Sequence, residues 1–356
     1  MLLVVNAGSS SVKLAVFDGD LREVLTGSVT EIGGAGSLRL GAVARGCAAA
    51  DHPAALVLAF EVMAAQGVGM GDLTAAAHRV VHGGEALVQP ARVTSAVIAG
   101  IEACVTLAPL HNPGNLTAIR ALQALAPDLP QFVSFDTAFH ASNPEVAVSY
   151  ALPLAERARG LRRYGFHGIS YGGLVQHLRS LEALPERLLA LHLGNGASLC
   201  AIKAGVSVAT TMGYSPLDGI TMGTRTGSID GNAVLRLAEL HGIAGAARIL
   251  NRESGLLGLG GHSDMRALHA AGTAEAAFAL EHFCYWAVRH AGSMIAAMEG
   301  LDGIAFTGGI GENDAVVRDR IVADLAWAGI VPVHIVPAEE ERSIAAEAFV
   351  LLRAGL

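Results

Sequence analysis

Residues 4–19 read Val4-Val5-Asn6-Ala7-Gly8-Ser9-Ser10-Ser11-Val12-Lys13-Leu14-Ala15-Val16-Phe17-Asp18-Gly19. An apolar run enters a turn of small, hydroxylated residues and a second apolar run leaves it, which predicts a β-hairpin. Small residues let the backbone approach an anion closely, and successive N–H groups can form an anion-binding nest. Lys13 adds a full positive charge. The hairpin therefore predicts a cradle for phosphate oxygens, and from this stretch alone a Ser-rich turn without function is an equal alternative.

The same pattern of strand, Gly/Asn/Ser turn and strand recurs at residues 189–205. Gly8 corresponds to Gly194, Ser11 to Ser198 and Gly19 to Gly205, with a slip of one residue inside the turn. Two copies of one hairpin in two halves of the chain predict a duplicated domain.

A third glycine-rich turn, Phe306–Asn313, follows the apolar run Gly303–Phe306 and precedes an amphipathic helix predicted from Asp314 to Ala328. A strand, a glycine turn and a helix N-terminus in this order form a second kind of anion and nucleotide site. Another helix is predicted from Asp51 and Pro53 to Gly67, because Asp is an N-cap residue, Pro favours the first turn and Gly ends helices. Residues 95–105, 114–125, 170–181, 231–240 and 275–298 predict further helices, and residues 33–50 predict loops or weak strands, so the fold class is α/β.

Composition limits the class of protein. The chain has 356 residues, of which 52% are hydrophobic and 16% charged, enough for two domains with full cores. A formal net charge of −8 without a Lys/Arg run argues against nucleic acid or an anionic membrane as a partner. No apolar run reaches the length of a membrane span, and the short apolar start lacks the basic region of a signal peptide. Four scattered cysteines without a CxxC pair predict buried thiols in a reducing cytoplasm.

Several nucleotide and metal motifs are absent from the sequence. No G-x-x-x-x-G-K-[ST] occurs, which excludes a P-loop nucleotidase. No G-x-G-x-x-G follows a strand, which argues against a dinucleotide dehydrogenase. Neither H-E-x-x-H nor a His/Cys cluster indicates zinc.

Four polar residues stand alone on apolar or glycine-rich turns: Arg79, Asp136, His167 and Arg225. Each has a structural alternative, namely a carboxylate partner for Arg79, a turn cap for Asp136, a satisfied core histidine for His167 and a solvated loop for Arg225. Together with Lys13 they are the groups that a transfer between two anions needs.

Eight motifs then occur in a recognisable order over nearly the whole chain: N-A-G-S-S-S-x-K at Asn6–Lys13, H-R-V-V-H-G-G at His78–Gly84, L-A-P-L-H-N-P at Leu107–Pro113, F-D-T-A-F-H at Phe135–His140, R-R-Y-G-F-H-G at Arg162–Gly168, H-L-G-N-G at His192–Gly196, M-G-T-R at Met222–Arg225 and F-T-G-G-I-G-E-N at Phe306–Asn313. In these motifs the chain resembles the acetate kinase family, within the superfamily of actin, the seventy-kilodalton chaperones and the sugar kinases.

The resemblance implies duplicated actin-like (ribonuclease H-like) domains with the nucleotide in the cleft between them. Residues 1–140, completed by a C-terminal helix at 341–356, are expected to form one domain, and residues 141–340 the other. The implied reaction is reversible phosphorylation of acetate by ATP, with Mg²⁺ or Mn²⁺, in a cytoplasmic homodimer. Propionate or butyrate kinase is the near alternative. A non-enzymatic ATP switch and a sugar kinase are further alternatives. The switch would not need a residue that binds a carboxylate, and the sugar kinase would need a general base and a polar sugar pocket.

The resemblance also assigns roles to residues. It implies that Asp136, His167 and Arg225 are catalytic and that Asn6 and Glu340 serve the metal. Because a carboxylate nucleophile has no proton to lose, we expect Asp136 to orient other groups rather than act as a base. The short-chain carboxylate is expected to contact Arg79 and a pocket formed by Val81, Leu110, His111, Phe166 and Pro216, with Asn112 in support. The nucleotide is expected to contact Ser9, Ser10, Ser11, Lys13, His192, Leu193, Gly194, Asn195, Gly196, Asp264, Met265, Arg266, Gly308, Gly309, Ile310, Gly311 and Glu312.

The chain departs from the family pattern at four places, one of which is a surface segment of many members that is missing between Ile330 and Val331. Ser228 stands where the family usually has Asp, and Tyr171 stands where His is usual. Near the C-terminus the family pattern T-N-E-E appears as Ala338-Glu339-Glu340-Glu341, which leaves open which glutamate serves the metal.

Overall fold

The N-terminal hairpin forms as the sequence predicts. Strands β1 (Leu2–Ala7) and β2 (Ser11–Phe17) pair antiparallel with Asn6 opposite Lys13. The amide of Gly8 donates to the Ser11 carbonyl at 2.7 Å and closes the turn. The computed structural model describes residues 1–8 and 10–356, so the predicted nucleotide contact Ser9 lies outside the described residues.

The first of two structural units comprises residues 1–138 and 339–356. Its described residues form an eight-stranded sheet in the order β5-β4-β3-β2-β1-β6-β8-β7. Strands β1 to β5 pair antiparallel, β6 and β8 continue parallel to β1, and β7 is antiparallel to β8. The remaining strands are β3 (Glu23–Thr30), β4 (Gly36–Leu40), β5 (Val43–Cys47), β6 (Ala75–Val80), β7 (Ala91–Arg92) and β8 (Gln131–Phe135).

Three helices of this unit follow the predicted pattern. They are α1 (His52–Ala65), α2 (Ser95–Ala103) and α3 (Asn112–Leu125), with a 3₁₀ turn at Met70–Asp72. Asp51 caps α1 by accepting from the amide of Ala54, as its position before an apolar run predicts. One apolar core joins β1, β2, α1 and α3, and includes Val5, Leu14, Leu56, Met63 and Leu122.

The second unit, residues 139–338, contains a five-stranded sheet in the order β11-β10-β9-β12-β13 among its described residues. Strands β11, β10 and β9 pair antiparallel, and β9, β12 and β13 pair parallel. The first unit has the same succession in β3-β2-β1-β6-β8. This repeated succession fits the predicted duplication. The strands are β9 (Arg187–Leu193), β10 (Ala197–Lys203), β11 (Val206–Thr210), β12 (Gly303–Thr307) and β13 (Val333–Ile335).

The second unit also contains helices, several of which pack on this sheet. They are α4 (Glu145–Val148), α5 (Leu154–Arg157), α6 (Gly168–Ser180), α7 (Gly231–Arg248), α8 (Gly255–Gly260), α9 (Met265–Ala271), α10 (Ala274–Met298), α11 (Gly308–Asn313) and α12 (Ala315–Asp324). Short 3₁₀ turns lie at Ala138–Ser142 and Ala326–Ala328, and a π-helical turn lies at Ile249–Glu253.

Two helix predictions need correction. The glycine-rich stretch Gly308–Asn313, predicted as a turn, is itself the short helix α11. The helix predicted at residues 231–240 extends to Arg248, and Gly242 interrupts it with a positive φ of 70°. Gly242 breaks the helix without ending its path, whereas Gly308, with a φ of 81°, begins one, and the sequence pattern alone does not distinguish either from a turn.

The chain ends in α13 (Glu340–Arg353), which packs on β1, β6 and β8 of the first sheet. Among the described residues, no helix is long and apolar enough to cross a membrane. All four cysteines are free, and three of them are buried as predicted, whereas Cys47 is half-buried.

Candidate active site

In the first unit, Arg79 pairs with Asp136 at the carboxyl ends of two neighbouring parallel strands. Arg79 lies near the end of β6 and Asp136 directly follows the parallel neighbour β8. The arginine Nε donates to Oδ1 at 2.9 Å and Nη2 donates to Oδ2 at 2.6 Å. Its Nη1 donates to Oδ1 of Asn6 at 3.3 Å. The sequence alternative of a carboxylate partner for Arg79 is therefore realised, and the partner is another predicted site residue.

Five N–H groups are available on a guanidinium. Asp136 takes two of those of Arg79 and Asn6 takes one, so the bonds among the described residues leave two. The side chain of Arg79 is 24% exposed, whereas that of Asp136 is 3% exposed. A rigidly held arginine with N–H groups to spare is suited to grip a small carboxylate.

Burial and charge act against each other in this pair. Burial raises the pKa of the Asp136 carboxyl, and the attraction to Arg79 opposes that rise only in part. For Arg79, burial disfavours the charged form, but Asp136, Glu340 and Glu341 together outweigh it and raise the pKa of the guanidinium. His111 also lowers the pKa of Asp136. Arg79 consequently stays charged at any working pH.

The first turn of α13 brings acidic groups to the same site. Asn6 donates through Nδ2 to Oε1 of Glu341 at 3.2 Å. Glu340 acts electrostatically on both Arg79 and Asp136. Within the described part of the chain, no group of three or more His, Cys, Asp or Glu side chains could enclose a metal ion. The oxygen donors fit a magnesium ion that keeps most of its waters, which is how that ion is usually bound.

Two residues that the sequence pattern did not single out hold the turn that is predicted to bind phosphate. His52 of α1 donates through Nε2 to the Gly8 carbonyl at 2.7 Å, and Asn115 of α3 donates to the Ala7 carbonyl at 2.8 Å. Ser10 and Lys13 are exposed. The backbone of the turn is thus fixed from behind while polar side chains of the hairpin reach solvent.

In the second unit, His167 occupies a tight turn before α6. Its backbone is left-handed, with a φ of 59°, a conformation that non-glycine residues seldom adopt. Its Nδ1 lies 2.9 Å from Oγ of Ser198, and its ring stacks on His192 with the centroids 4.2 Å apart. Ser170 in turn bonds Nδ1 of His192 at 2.8 Å. Two neighbouring contacts therefore fix the plane of the His167 ring.

His140 holds the backbone of that same turn. Its Nε2 donates to the carbonyl of Phe166 at 2.9 Å, and its Nδ1 lies 2.9 Å from Oγ of Ser207. A Cβ added to Gly165, which has a φ of 77°, would lie 2.6 Å from the His140 ring. The turn requires glycine at 165 both for its conformation and for this close approach.

Arg225 and His167 meet at the turn of the second hairpin. A Cβ added to Gly196 would lie 3.3 Å from Nε2 of His167 and 3.7 Å from Nη1 of Arg225. Arg225 also donates through Nη1 to the carbonyl of Pro216 at 3.2 Å. These two cationic or hydrogen-bonding groups therefore face one small space beside Gly196, as expected of groups that stabilise a transferring phosphoryl group.

A cavity of about 1010 Å³ lies in the second unit. It brings together seven of the predicted nucleotide contacts and adds His269 and Asp314, which bond each other at 2.8 Å. The Arg266 guanidinium lowers the pKa of Asp264 to about 2. The predicted residues that line the cavity are Gly194, Asn195, Asp264, Met265, Arg266, Gly309 and Ile310.

Other predicted nucleotide contacts lie outside this lining. Among them, Glu312 accepts through Oε1 from the amide of Ala338 at 2.9 Å, so it fixes the chain before α13. His192, Leu193 and Gly196 belong to the second hairpin, and Gly308 and Gly311 to α11.

The predicted pocket residues come from both units. In the first unit Val81 is buried, His111 precedes α3, and Leu110 is 52% exposed. In the second unit Phe166 is buried and Pro216 is half-buried. Asn112, predicted in support, is fully buried and bonds the backbone of His82 through both its amide atoms.

Ser228, one of the departures, donates to Oδ1 of Asp218 at 2.6 Å, and Arg163 pairs with Oδ2 of the same carboxylate at 2.7 Å. The hydroxyl satisfies the carboxylate at a place where a second acidic side chain would repel it. Asp230 caps α7 by accepting from the amide of Asn232.

Comparison with known proteins gives a consistent likeness. The chain matches the model of the acetokinase family over residues 1–347. The acetate kinase of Nitrobacter hamburgensis is 42% identical over a 388-residue alignment, which covers 99% of this chain and 96% of the relative. The crystal structure of Porphyromonas gingivalis acetate kinase superposes with a TM-score of 0.92 at 34% identity, with 99% of each chain covered. A propionate kinase from Francisella tularensis subsp. tularensis superposes with a TM-score of 0.93 at 32% identity, with 97% of this chain and 98% of that chain covered.

Proposed function

The chain belongs to the acetokinase family, and we infer that it phosphorylates acetate with ATP, giving ADP and acetyl phosphate in a reversible reaction. The observation that best fits this function is the charged, rigidly held Arg79 with N–H groups to spare beside the hairpin that the phosphates need. An ATP switch needs the hairpin but no such grip.

We propose that Arg79 binds the carboxylate of acetate. Such an acid has a pKa near 4 and is already ionised at neutral pH, so the attacking oxygen needs no base. Both oxygens of Asp136 are bonded to Arg79. Asp136 therefore acts by holding the guanidinium in place, and the remaining barrier is the approach of one anion to another in line with the leaving group.

His167 and Arg225 are proposed to stabilise the phosphoryl group during transfer. Charge spreads over the equatorial oxygens of that group in the transition state, and fixed donors aimed at it lower the barrier. The convergence of His167 Nε2 and Arg225 Nη1 on the space beside Gly196 supports this assignment.

The magnesium ion is proposed to be held, through its waters, by Asn6 and the acidic first turn of α13. Because Asn6 bonds Glu341 and Glu340 acts on Asp136 and Arg79, both glutamates are candidates. When bound, the ion neutralises charge on the phosphates of ATP. Asn6 also accepts from Arg79, so it links the acidic turn to the proposed acetate grip.

The cavity in the second unit is proposed to take the adenosine of ATP. Its volume of about 1010 Å³ is at the upper end of the range for small-molecule sites. Ser10, Ser11 and Lys13 are proposed to meet the β- and γ-phosphates at the first hairpin, with Gly194–Gly196 at the second.

Propionate is the second candidate substrate, because a propionate kinase is among the structural relatives. One methylene in an apolar pocket is worth only about 1–3 kcal/mol, so both acids are expected to react. The experiment measures acyl hydroxamate formed from ATP, magnesium, hydroxylamine and each of acetate, propionate and butyrate. Acetate is expected to give the highest kcat/KM. If none of the three acids gives acyl hydroxamate, the proposed function is rejected.

We further propose a cytoplasmic homodimer that associates through α10. Phe278 and Tyr285 on that helix are 54% and 58% exposed, and rings of His282, Trp286 and His290 lie along the same helix. Exposed aromatic groups in a row are typical of protein interfaces. Light scattering should give twice the mass of one chain, and Tyr285→Asp should lower the measured mass.

A further inference from the structure

A buried chain of hydroxyl groups ends on His167. Tyr171 is fully buried in the first turn of α6, where its amide donates to the His167 carbonyl at 3.0 Å. Its hydroxyl lies 2.8 Å from the carbonyl of Ser198 and 2.7 Å from Oγ of Ser198. The same Oγ lies 2.9 Å from Nδ1 of His167. The tyrosine, the serine and the imidazole are therefore linked in one path of hydrogen bonds.

The protons along this path can be arranged in two ways, and one arrangement places the proton of neutral His167 on Nε2. Burial raises the pKa of Tyr171 well above its ordinary value, so the phenol keeps its proton and donates toward Ser198. When the phenol donates to Oγ, the one proton of the Ser198 hydroxyl is left for Nδ1 of His167; when the phenol donates to the carbonyl, that proton can go to the phenol oxygen instead. A neutral imidazole that accepts at Nδ1 carries its own proton on Nε2. That nitrogen is the one beside Gly196 and Arg225.

We propose that Tyr171 and Ser198 are positioning residues that keep the proton of neutral His167 on Nε2, as a donor to the phosphoryl group in transfer. The inference rests on the proposed function, because an Nε2 donor serves only if a phosphoryl group passes that nitrogen. It gives a purpose to the departure at Tyr171, because the phenol stays protonated and its hydroxyl lies within hydrogen-bond distance of Ser198 Oγ.

Tyr171 also fills space, which the test must separate from its hydroxyl. Its ring lies 6.4 Å from that of Phe139 and 5.8 Å from that of His140, measured between centroids. Tyr171→Phe keeps the ring and removes only the hydroxyl. Ser198→Ala removes the direct partner of His167. Tyr164→Phe is a matched control, because its hydroxyl donates to the Gly160 carbonyl at 3.1 Å.

The experiment records imidazole ¹⁵N NMR spectra of the full-length protein at pH 8, with the His167 signals assigned by their loss in His167→Gln. The wild type and Tyr164→Phe are expected to show His167 protonated on Nε2. Ser198→Ala is expected to populate both tautomers and to lower kcat by roughly 10-fold or more, with both KM values within about two-fold. Tyr171→Phe is expected to shift the spectrum in the same direction with a smaller loss of kcat.

The inference is overturned if His167 carries its proton on Nδ1 in the wild type, or if both variants keep the wild-type tautomer. Tyr171→Phe decides the matter if Ser198→Ala does not fold. Failure of the proposed function is a separate result, because the spectra report the tautomer even in a protein that forms no acetyl phosphate.

Discussion

Arg79 is the residue that we propose recognises the carboxylate substrate. Its Nε and Nη2 atoms are committed to Asp136, and the acidic groups around it keep it charged. A guanidinium offers a planar pair of donors for a carboxylate, which an ammonium group cannot copy. The role proposed for Arg79 is therefore specific to the acid and separate from the binding of ATP.

Substitution of Arg79 by alanine is expected to raise the KM for acetate by roughly 100-fold, since a charge-assisted pair contributes a few kcal/mol. The KM for ATP should change by less than about three-fold. Steady-state kinetics with one substrate saturating measure both values.

Arg266→Ala is the reciprocal control, because Arg266 lines the cavity proposed for adenosine. It is expected to raise the KM for ATP and leave that for acetate unchanged. A mainly ATP-side defect in Arg79→Ala would contradict the role given to Arg79.

Single residues were predictable from the sequence where an isolated polar group stands on a glycine-rich turn. Arg79, Asp136, His167 and Arg225 were found in this way, and the structure brings them together as two pairs. The sequence did not predict three other contributions: the hydrogen bonds made by Ser198, by Asn115 and by His52. Their bonds join residues 31 to 108 positions apart, and such contacts leave no local pattern in a sequence.

At the scale of elements, the turn from Tyr164 to His167 depends on one buried histidine. His140 is 2% exposed, and burial lowers its pKa to about 4, so it is neutral at working pH. Its Nε2 proton satisfies the carbonyl of Phe166, which directly precedes the left-handed His167. Loss of that bond removes one hydrogen bond from a buried carbonyl, at a cost of about 0.5–1.5 kcal/mol.

We predict that His140→Asn lowers kcat by roughly 10-fold and also lowers the thermal midpoint. The asparagine amide can take the position of Nδ1 but is too short to reach the position of Nε2. His140→Gln, whose amide can extend toward the Phe166 carbonyl, should recover most of both. Equal activity in the two variants would show that this hydrogen bond does not hold the catalytic turn.

Elements were predicted best where the backbone period and the caps agree. The two hairpins, α1 with its Asp51 cap and α10 from Ala274 to Met298 follow the sequence pattern closely. The pattern failed at Gly308–Asn313, where glycines form a helix because β12 leads directly into it. Propensity cannot foresee that constraint, since the strand before the glycines sets the path of the chain.

At the scale of the whole molecule, the duplicated arrangement of strands explains why two hairpins with glycine turns exist. Each unit repeats one succession of antiparallel and parallel strands. The duplication could be predicted from the two similar hairpins that contain Gly8 and Gly194. The order of the strands could not, because parallel pairing joins distant parts of the chain.

Buried neutral histidines are expected to make stability depend on pH. Burial lowers the pKa of His78, His82 and His140 to about 4, whereas unfolded histidines titrate near 6.5. As the pH falls below 6.5, these histidines therefore bind protons in the unfolded chain but stay neutral in the folded chain. Stability present above pH 6.5 is lost toward pH 4, by up to about 1.4 kcal/mol per pH unit for each histidine.

Urea unfolding followed by circular dichroism at pH 7.5, 6 and 5 measures this loss. His78→Gln removes one of the three groups and should make the decline shallower between pH 6.5 and pH 4. An identical slope in the variant and the wild type would assign the pH dependence to other groups.

In the proposed reaction, a carboxylate oxygen of acetate attacks the γ-phosphorus of ATP. Incubation with magnesium, ATP and acetate labelled with ¹⁸O in both oxygens, followed by ³¹P NMR, tests it directly. We expect acetyl phosphate whose phosphorus signal carries the isotope shift of a bridging ¹⁸O. Release of unlabelled phosphate without acetyl phosphate, or acetyl phosphate without the shifted signal, would contradict it.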